Sequence, residues 1–191
     1  MTRVLTALLV ALVVAAGCAG PGDARSPAVT TPGPPASGSI PAFGSAPTGP
    51  TETATVVRIV DGDTIVVDRG HGNEKVRYIG MDTPETVKPG SPVEWMGPEA
   101  TAANTAIVAE REVVLERDVS ETDHFGRLLR YVWFRDGSVP SGWRMVNLEL
   151  LARGFAQVST YPPDVKYVDL FLAGQASARD RGLGLWGPAP S

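Results

Sequence analysis

Apolar and polar positions alternate in short β-branched runs at 55–60 and 64–68, parted by Asp61-Gly62-Asp63, which predicts a hairpin with a glycine-bearing turn. His71-Gly72-Asn73 supplies the next turn and leads into a third run at 75–80, so this stretch reads as a three-stranded meander. Prolines and glycines punctuate the polar stretch 85–97, a predicted loop, and Gly97-Pro98-Glu99 opens an alanine-rich helix reaching Glu110. Alternation returns at 112–117 and 127–134, two further strands, the second ended by the turn Asp136-Gly137. Apolar spacing at Trp143, Val146 and Leu150 predicts a helix over 143–153, with Gly154 as its terminator. Pro162-Pro163-Asp164 precedes a last helix that carries Val165, Val168 and Leu172 on one face and runs to Arg181.

The order is three strands, a helix, two strands and two helices, an α+β chain that is mainly β. Five short strands with an interposed helix suit a five-stranded OB-fold barrel with three helices, and the same order also fits other small barrels and α+β folds. Asp63 stands at the start of the second strand, Arg77 on the third and Asp82 just beyond it, so these groups are expected to converge near one edge of a small barrel.

Ahead of the strands the pattern changes twice. Met1-Thr2-Arg3-Val4, an apolar run over 5–16 and Gly17-Cys18 have the basic start, short apolar middle and small residues of a secretion signal, too short for an ordinary transmembrane helix. Cys18 is the only cysteine of the chain, so an intramolecular disulfide is excluded. Its place after Ala15-Ala16-Gly17 resembles a bacterial lipobox, although Ala15 stands where leucine is usual. The reading is a lipoprotein signal peptide at 1–17 with Cys18 lipidated, and a plain signal peptide is the simpler rival. Residues 18–53 are almost wholly Pro, Gly, Ala, Ser and Thr and cannot bury enough apolar surface to offset chain entropy, so a disordered linker is expected there. The globular domain is then 54–187.

The formal net charge of −4 argues against tight duplex binding, because polyanion binders usually present basic surfaces. It leaves room for a small cleft in which arginines and a divalent cation neutralise one phosphate. Asp61-Gly62-Asp63-Thr64, Arg77, Asp82-Thr83-Pro84-Glu85 and Asp123-His124-Phe125-Gly126-Arg127-Leu128 supply such a set. Together, at matched spacing, these segments resemble the staphylococcal-type thermostable nuclease family. Gly97-Pro98-Glu99-Ala100, Met145-Val146-Asn147 and Gly184-Leu185-Trp186 extend the likeness across the whole globular part.

The resemblance implies an OB-type barrel and calcium at Asp63, Asp82 and Thr83, with catalysis by Arg77, Glu85 and Arg127. The residue types suit those tasks. Two carboxylates and the Thr83 carbonyl are hard oxygen donors for Ca²⁺, planar guanidiniums grip phosphate in a fork, and Glu85 is placed to activate a water. Asp61 matches a family acid near the metal, and as a turn aspartate it equally bonds its own backbone. Phe125 stands where the founding enzyme has tyrosine, and a pair of nucleotide-contacting tyrosines is reduced to Tyr161. His71 and His124 lack metal-ligand spacing, and Trp133, Trp143 and Trp186 read as packing residues.

The functional expectation is a monomeric, calcium-dependent nuclease acting on DNA or RNA, single-stranded by preference, and leaving 3′-phosphates. Its expected place is the extracellular face of a bacterial envelope, held to the membrane through the lipid on Cys18, or secreted. The rival is a catalytically weak OB-type module that binds nucleic acid or protein; a purely structural envelope role is the third reading.

Overall fold

The computed structural model describes residues 45–86, 90 and 92–188. The signal peptide, Cys18 and most of the 18–53 linker lie outside the described residues. Among those described, no helix is long and apolar enough to cross a membrane.

Three antiparallel strands, β1 (Thr51–Ile59), β2 (Thr64–Asp68) and β3 (Asn73–Tyr78), form the expected meander. After the two-residue β4 (Met81–Asp82) and helix α1 (Gly97–Val108), β5 (Glu112–Glu116) returns beside β1, and β6 (Leu128–Arg135) pairs with β5. The ring closes where β6 also lies parallel to β3, with Val76 opposite Leu128 and Arg77 opposite Leu129. Five strands therefore enclose the core as an OB-type barrel, and the mainly β, α+β expectation with three helices holds. Ile65, Val67, Val76, Leu115 and Val132 fill the interior at 0% exposure, which is what period-two alternation achieves when one face of every strand looks inward.

The strand ring starts earlier than expected. Residues 51–53 pair with Glu116, Leu115 and Val114, so they belong to the barrel rather than to the linker that was to extend to residue 53. Their Thr-Glu-Thr composition conceals this, because the ladder uses main-chain groups. The predicted helix over 143–153 is also divided. Trp143–Met145 is β7, paired with Phe134, Trp133 and Arg135 of β6, and helix α2 begins only at Val146 and ends at Ala152.

Helix α3 (Val168–Asp180) turns a different face inward from the one expected: Phe171, Gly174 and Ala178 are buried, whereas Val165 and Leu172 are exposed. Small residues decide the choice, since Gly174 lies against Leu148 and Ala152 of α2 and a Cβ there would sit 2.8 Å from Leu148 Cδ1. Beyond α2, Gly154 (φ 78°) backs directly on to Gly184 (φ 53°), and a Cβ on Gly154 would come within 2.2 Å of the Leu183 carbonyl. That contact locks the C-terminal turn (Gly184–Trp186) on to the end of α2.

Candidate active site

The site is assembled by three pairings. Tyr78 N donates to the Asp63 carbonyl at 2.9 Å, which sets the Asp61–Asp63 turn beside the end of β3. The parallel β3–β6 contact brings Arg127, the residue preceding β6, to the same end of the barrel as Arg77. Finally β4 pairs with β8 (Gln157–Val158), and Ser159 N donates to the Gly80 carbonyl at 3.1 Å, so the following residues, Tyr161 among them, arrive at the same mouth. A cavity of about 400 Å³ results, with Arg77, Arg127, Asp123, His124, Tyr161 and Asp164 among its lining residues.

Asp63 is 5% exposed and fully engaged on one oxygen. Its Oδ2 accepts from Thr83 N at 3.0 Å and Thr83 Oγ1 at 3.1 Å, and it also meets Arg77 Nη1 in an ion pair. Oδ1 accepts from Thr64 Oγ1 at 3.0 Å, which leaves a lone pair on that oxygen. Arg77 Nη2 reaches across to Asp82 Oδ1 at 2.5 Å, and the Asp82 side chain is 58% exposed. Arg77 thus ties a buried carboxylate to an exposed one. Its Nη1, although buried against Asp63, makes no well-aligned hydrogen bond. Burial works against the charge on Arg77, but the Asp63 and Asp82 carboxylates outweigh it and hold the guanidinium pKa above its ordinary value.

Asp61 behaves as the turn reading requires: its Oδ1 accepts from Asp63 N at 3.1 Å. Burial, followed by repulsion from Asp63, pushes its carboxyl up to about 6. Asn104 of α1 supports this turn, donating to the Asp61 carbonyl at 3.0 Å while accepting from the buried Tyr78 hydroxyl at 2.9 Å.

Arg127 is held by Asp123. Asp123 Oδ2 accepts from Arg127 Nε at 2.7 Å, and Oδ1 accepts from the main-chain N–H groups of Phe125 and Arg127, both at 2.9 Å. Burial opposes the Asp123 charge, and the Arg127 N–H groups and guanidinium more than offset it, so this carboxyl lies below its usual range. The guanidinium lies 5.4 Å from the Phe125 ring centre, and Phe125 is 71% exposed. Carboxylate and ring together fix the guanidinium, and Arg127 lines the cavity.

Glu85 is exposed and does not line the cavity. Its main chain is clamped to Glu94, with Glu85 N donating to Glu94 Oε2 at 3.1 Å and its carbonyl accepting from Glu94 N at 2.9 Å. No hydrogen bond or ion pair engages its carboxylate among the described residues, so it is available to a water or a substrate.

Two carboxylates and one carbonyl make a sparse cation site, and among the described residues no group of three His, Cys, Asp or Glu side chains gathers to hold a metal. The donor chemistry nevertheless suits a hard cation. Asp63 Oδ1 and the exposed Asp82 carboxylate are oxygen donors with open lone pairs. Substrate and water would complete such a shell.

Sequence reasoning did not assign roles to Asp123, Asn104 or Asn147. Asn147 is wholly buried, accepts from Val132 N at 2.9 Å and donates to the Ile79 carbonyl at 2.9 Å, fixing the strand end that leads to Asp82. The signal for Asp123 was present, since an aspartate before a Gly-bearing turn commonly captures the N–H groups that follow it. Trp133 is the packing residue expected, with Nε1 donating to Glu116 at 2.8 Å.

Residues 75–188 match the family model described as Staphylococcal nuclease homologue. The thermonuclease of Staphylococcus intermedius is 39% identical over 135 residues, covering 71% of this chain and 76% of that protein. Endonuclease YncB of Bacillus subtilis (strain 168) is 38% identical over 134 residues, covering 69% of this chain and 60% of its own length. The SPbeta prophage-derived endonuclease YokF of the same organism is 39% identical over 134 residues, 69% of this chain and 43% of that one. A barrel closed by β3 against β6, two arginines brought to one cavity by that closure, and matches of this breadth have one explanation: the chain belongs to the staphylococcal nuclease family.

Proposed function

We propose that this chain is a calcium-dependent nuclease that cuts single-stranded DNA or RNA and leaves 3′-phosphates. Membership of the family makes it a hydrolase of phosphodiester bonds. The finer reading is supported above all by one observation: Arg77 and Arg127 line the same cavity, and Arg77 is tied to both Asp63 and Asp82.

The chemistry follows from these positions. Arg127 offers its guanidinium to a phosphate oxygen, and Arg77 lines the same cavity, so charge growing on the phosphoryl group meets two guanidiniums. Glu85 accepts a proton from the attacking water, whose oxygen bonds to phosphorus as the bond to the 5′ oxygen breaks and that oxygen takes up a proton. Asp63, Asp82 and the Thr83 carbonyl would hold calcium, which supplies electrostatic stabilisation at the phosphate when bound. Tyr161, 73% exposed at the cavity rim, offers a ring to a nucleobase. An overall charge of −4 favours unpaired strands over duplex.

The same proposal places the protein, as a monomer, outside the cell membrane, held by a lipid on Cys18 or released. Incorporation of labelled fatty acid into the wild-type protein, but not into Cys18→Ser, tests the anchor; equal labelling of both excludes it.

The test of the activity is product analysis on end-labelled single-stranded DNA and RNA. Fragments that end in 3′-phosphate and accumulate faster than from duplex agree with the reading. Tight binding with no new fragments would point instead to a binding module of the same fold.

A further inference from the structure

We propose that the far end of the barrel carries a second anion site, an exosite that grips backbone phosphates of the strand being cut. It rests on the nuclease reading for the identity of the polymer. Arg111, Arg135, Arg144 and Arg153 line a cavity of about 470 Å³ together with only two carboxylates, Asp136 and Glu149. For a chain of net charge −4, four guanidiniums against two acids is a marked local reversal of sign.

The arginines divide into two kinds. Arg144 pairs with Asp136 and stands 3.5 Å from Glu149, and Arg153 stands 3.6 Å from the other Glu149 oxygen. Arg111 and Arg135, both exposed, have no carboxylate partner among the described residues and are held by rings instead. The Arg135 guanidinium carbon lies 3.6 Å from the centre of Trp143, and that of Arg111 lies 4.9 Å from the centre of Phe134. A ring fixes the plane of a guanidinium without using its N–H donors, so the edge stays available for a phosphate fork.

This cavity is not the reaction site. Arg127 immediately precedes β6 and Arg135 ends it. Eight residues at a strand rise of about 3.3 Å separate the two arginines by roughly 26 Å. A dinucleotide engaged at Arg127 cannot span that distance, whereas a long strand can wrap from one end of the barrel to the other. A concave, ring-backed pocket suits single phosphates on a flexible strand better than a flat lipid surface.

The test compares wild type with Arg111→Gln/Arg135→Gln. Anisotropy of a labelled long single-stranded oligonucleotide, measured in chelator so that no cutting occurs, reads binding independently of activity. We expect about a tenfold weaker Kd for the variant, and a slope of log affinity against log salt that is smaller by about 0.7 for each lost contact. In calcium, KM for the long strand should rise similarly, with kcat and dinucleotide turnover unchanged. Arg135→Lys alone should retain most of the salt slope, and unfolding curves check that both variants are folded. Unchanged affinity and slope in a folded double variant would overturn the exosite. So would loss of binding to phosphatidylglycerol vesicles with oligonucleotide affinity intact. Weakened oligonucleotide binding by the variant, in a protein that cleaves nothing, would leave the exosite standing and remove the nuclease reading instead.

Discussion

The barrel buries two carboxylates beside cations, and the two surroundings differ in what they leave unfinished. Glu116, at 0% exposure, accepts from Lys166 Nζ at 2.5 Å, Gly49 N at 2.7 Å, Trp133 Nε1 at 2.8 Å and the Tyr167 hydroxyl at 3.0 Å. Both oxygens are taken, and although Lys166 itself reaches the surface the carboxylate is closed off. Asp63 has a comparable set of donors, but its cation, Arg77, opens on to a cavity and continues to an exposed Asp82. A saturated buried charge is architecture, whereas a buried charge whose partner lines a cavity and continues to an exposed carboxylate is poised for a ligand.

This contrast is broken most severely at the open end. Glu85→Gln should lower turnover by about 10²-fold to 10⁴-fold while binding of calcium and oligonucleotide persists, as single-turnover rates and equilibrium titration will show. Turnover equal to wild type would take Glu85 out of the chemistry. Arg127→Ala follows, with an expected loss of about 10²-fold to 10³-fold in kcat, because one donor to the developing charge is gone. Its melting temperature should stay near that of wild type, since Arg127 sits at the rim and bonds only its own turn.

The closed end should respond in the opposite currency. Glu116→Leu strands the Trp133 and Gly49 N–H groups and removes the partner of Lys166, a loss of about 3 kcal/mol in unfolding free energy, read by denaturant titration. Activity per folded molecule should be unchanged. A loss of activity larger than the loss of folded protein would mean that the two regions are coupled.

The smallest effect is on pH. Burial opposes the Glu116 charge, but the Lys166 ammonium and the N–H and O–H groups around it outweigh burial and set its pKa below the ordinary 4.5. A depressed carboxylate contributes stability that is complete above its unfolded pKa and is lost as pH falls through the folded one. Wild type should therefore lose stability below pH 4.5. The melting temperature of Glu116→Gln should fall less steeply over that range; parallel curves would show that Glu116 is not the group responsible.

What the chain disclosed in advance follows the range of the forces involved. The β1–β3 meander, α1, β5 and β6 were legible because alternation and turn residues are local signals. The parallel contact between β3 and β6 joins residues far apart in the chain and carries no local mark, yet it is what sets Arg127 beside Arg77. Trp143 and Val146 share a helical spacing, but Trp143–Met145 is drawn into the sheet by its β6 partners, so tertiary pairing overrode the periodicity. In α3 the large residues suggested one face, while Gly174 and Ala178 allowed closer approach and turned the other inward. Among the site residues, Asp63, Arg77, Asp82, Thr83 and Arg127 were read from motifs, whereas Asp123 and Asn104, which hold them, act through bonds that no motif displays.

The central claim is that the Asp63–Arg77–Asp82 cluster performs its chemistry with a divalent cation. The most direct measurement is the rate of single-strand cleavage by wild type and by Asp82→Asn as calcium is titrated from a chelated start. The account predicts no cleavage in chelator, saturation with calcium for wild type, and a curve displaced to higher calcium for Asp82→Asn. Cleavage that proceeds equally in chelator, or a calcium curve identical for the two proteins, would contradict it.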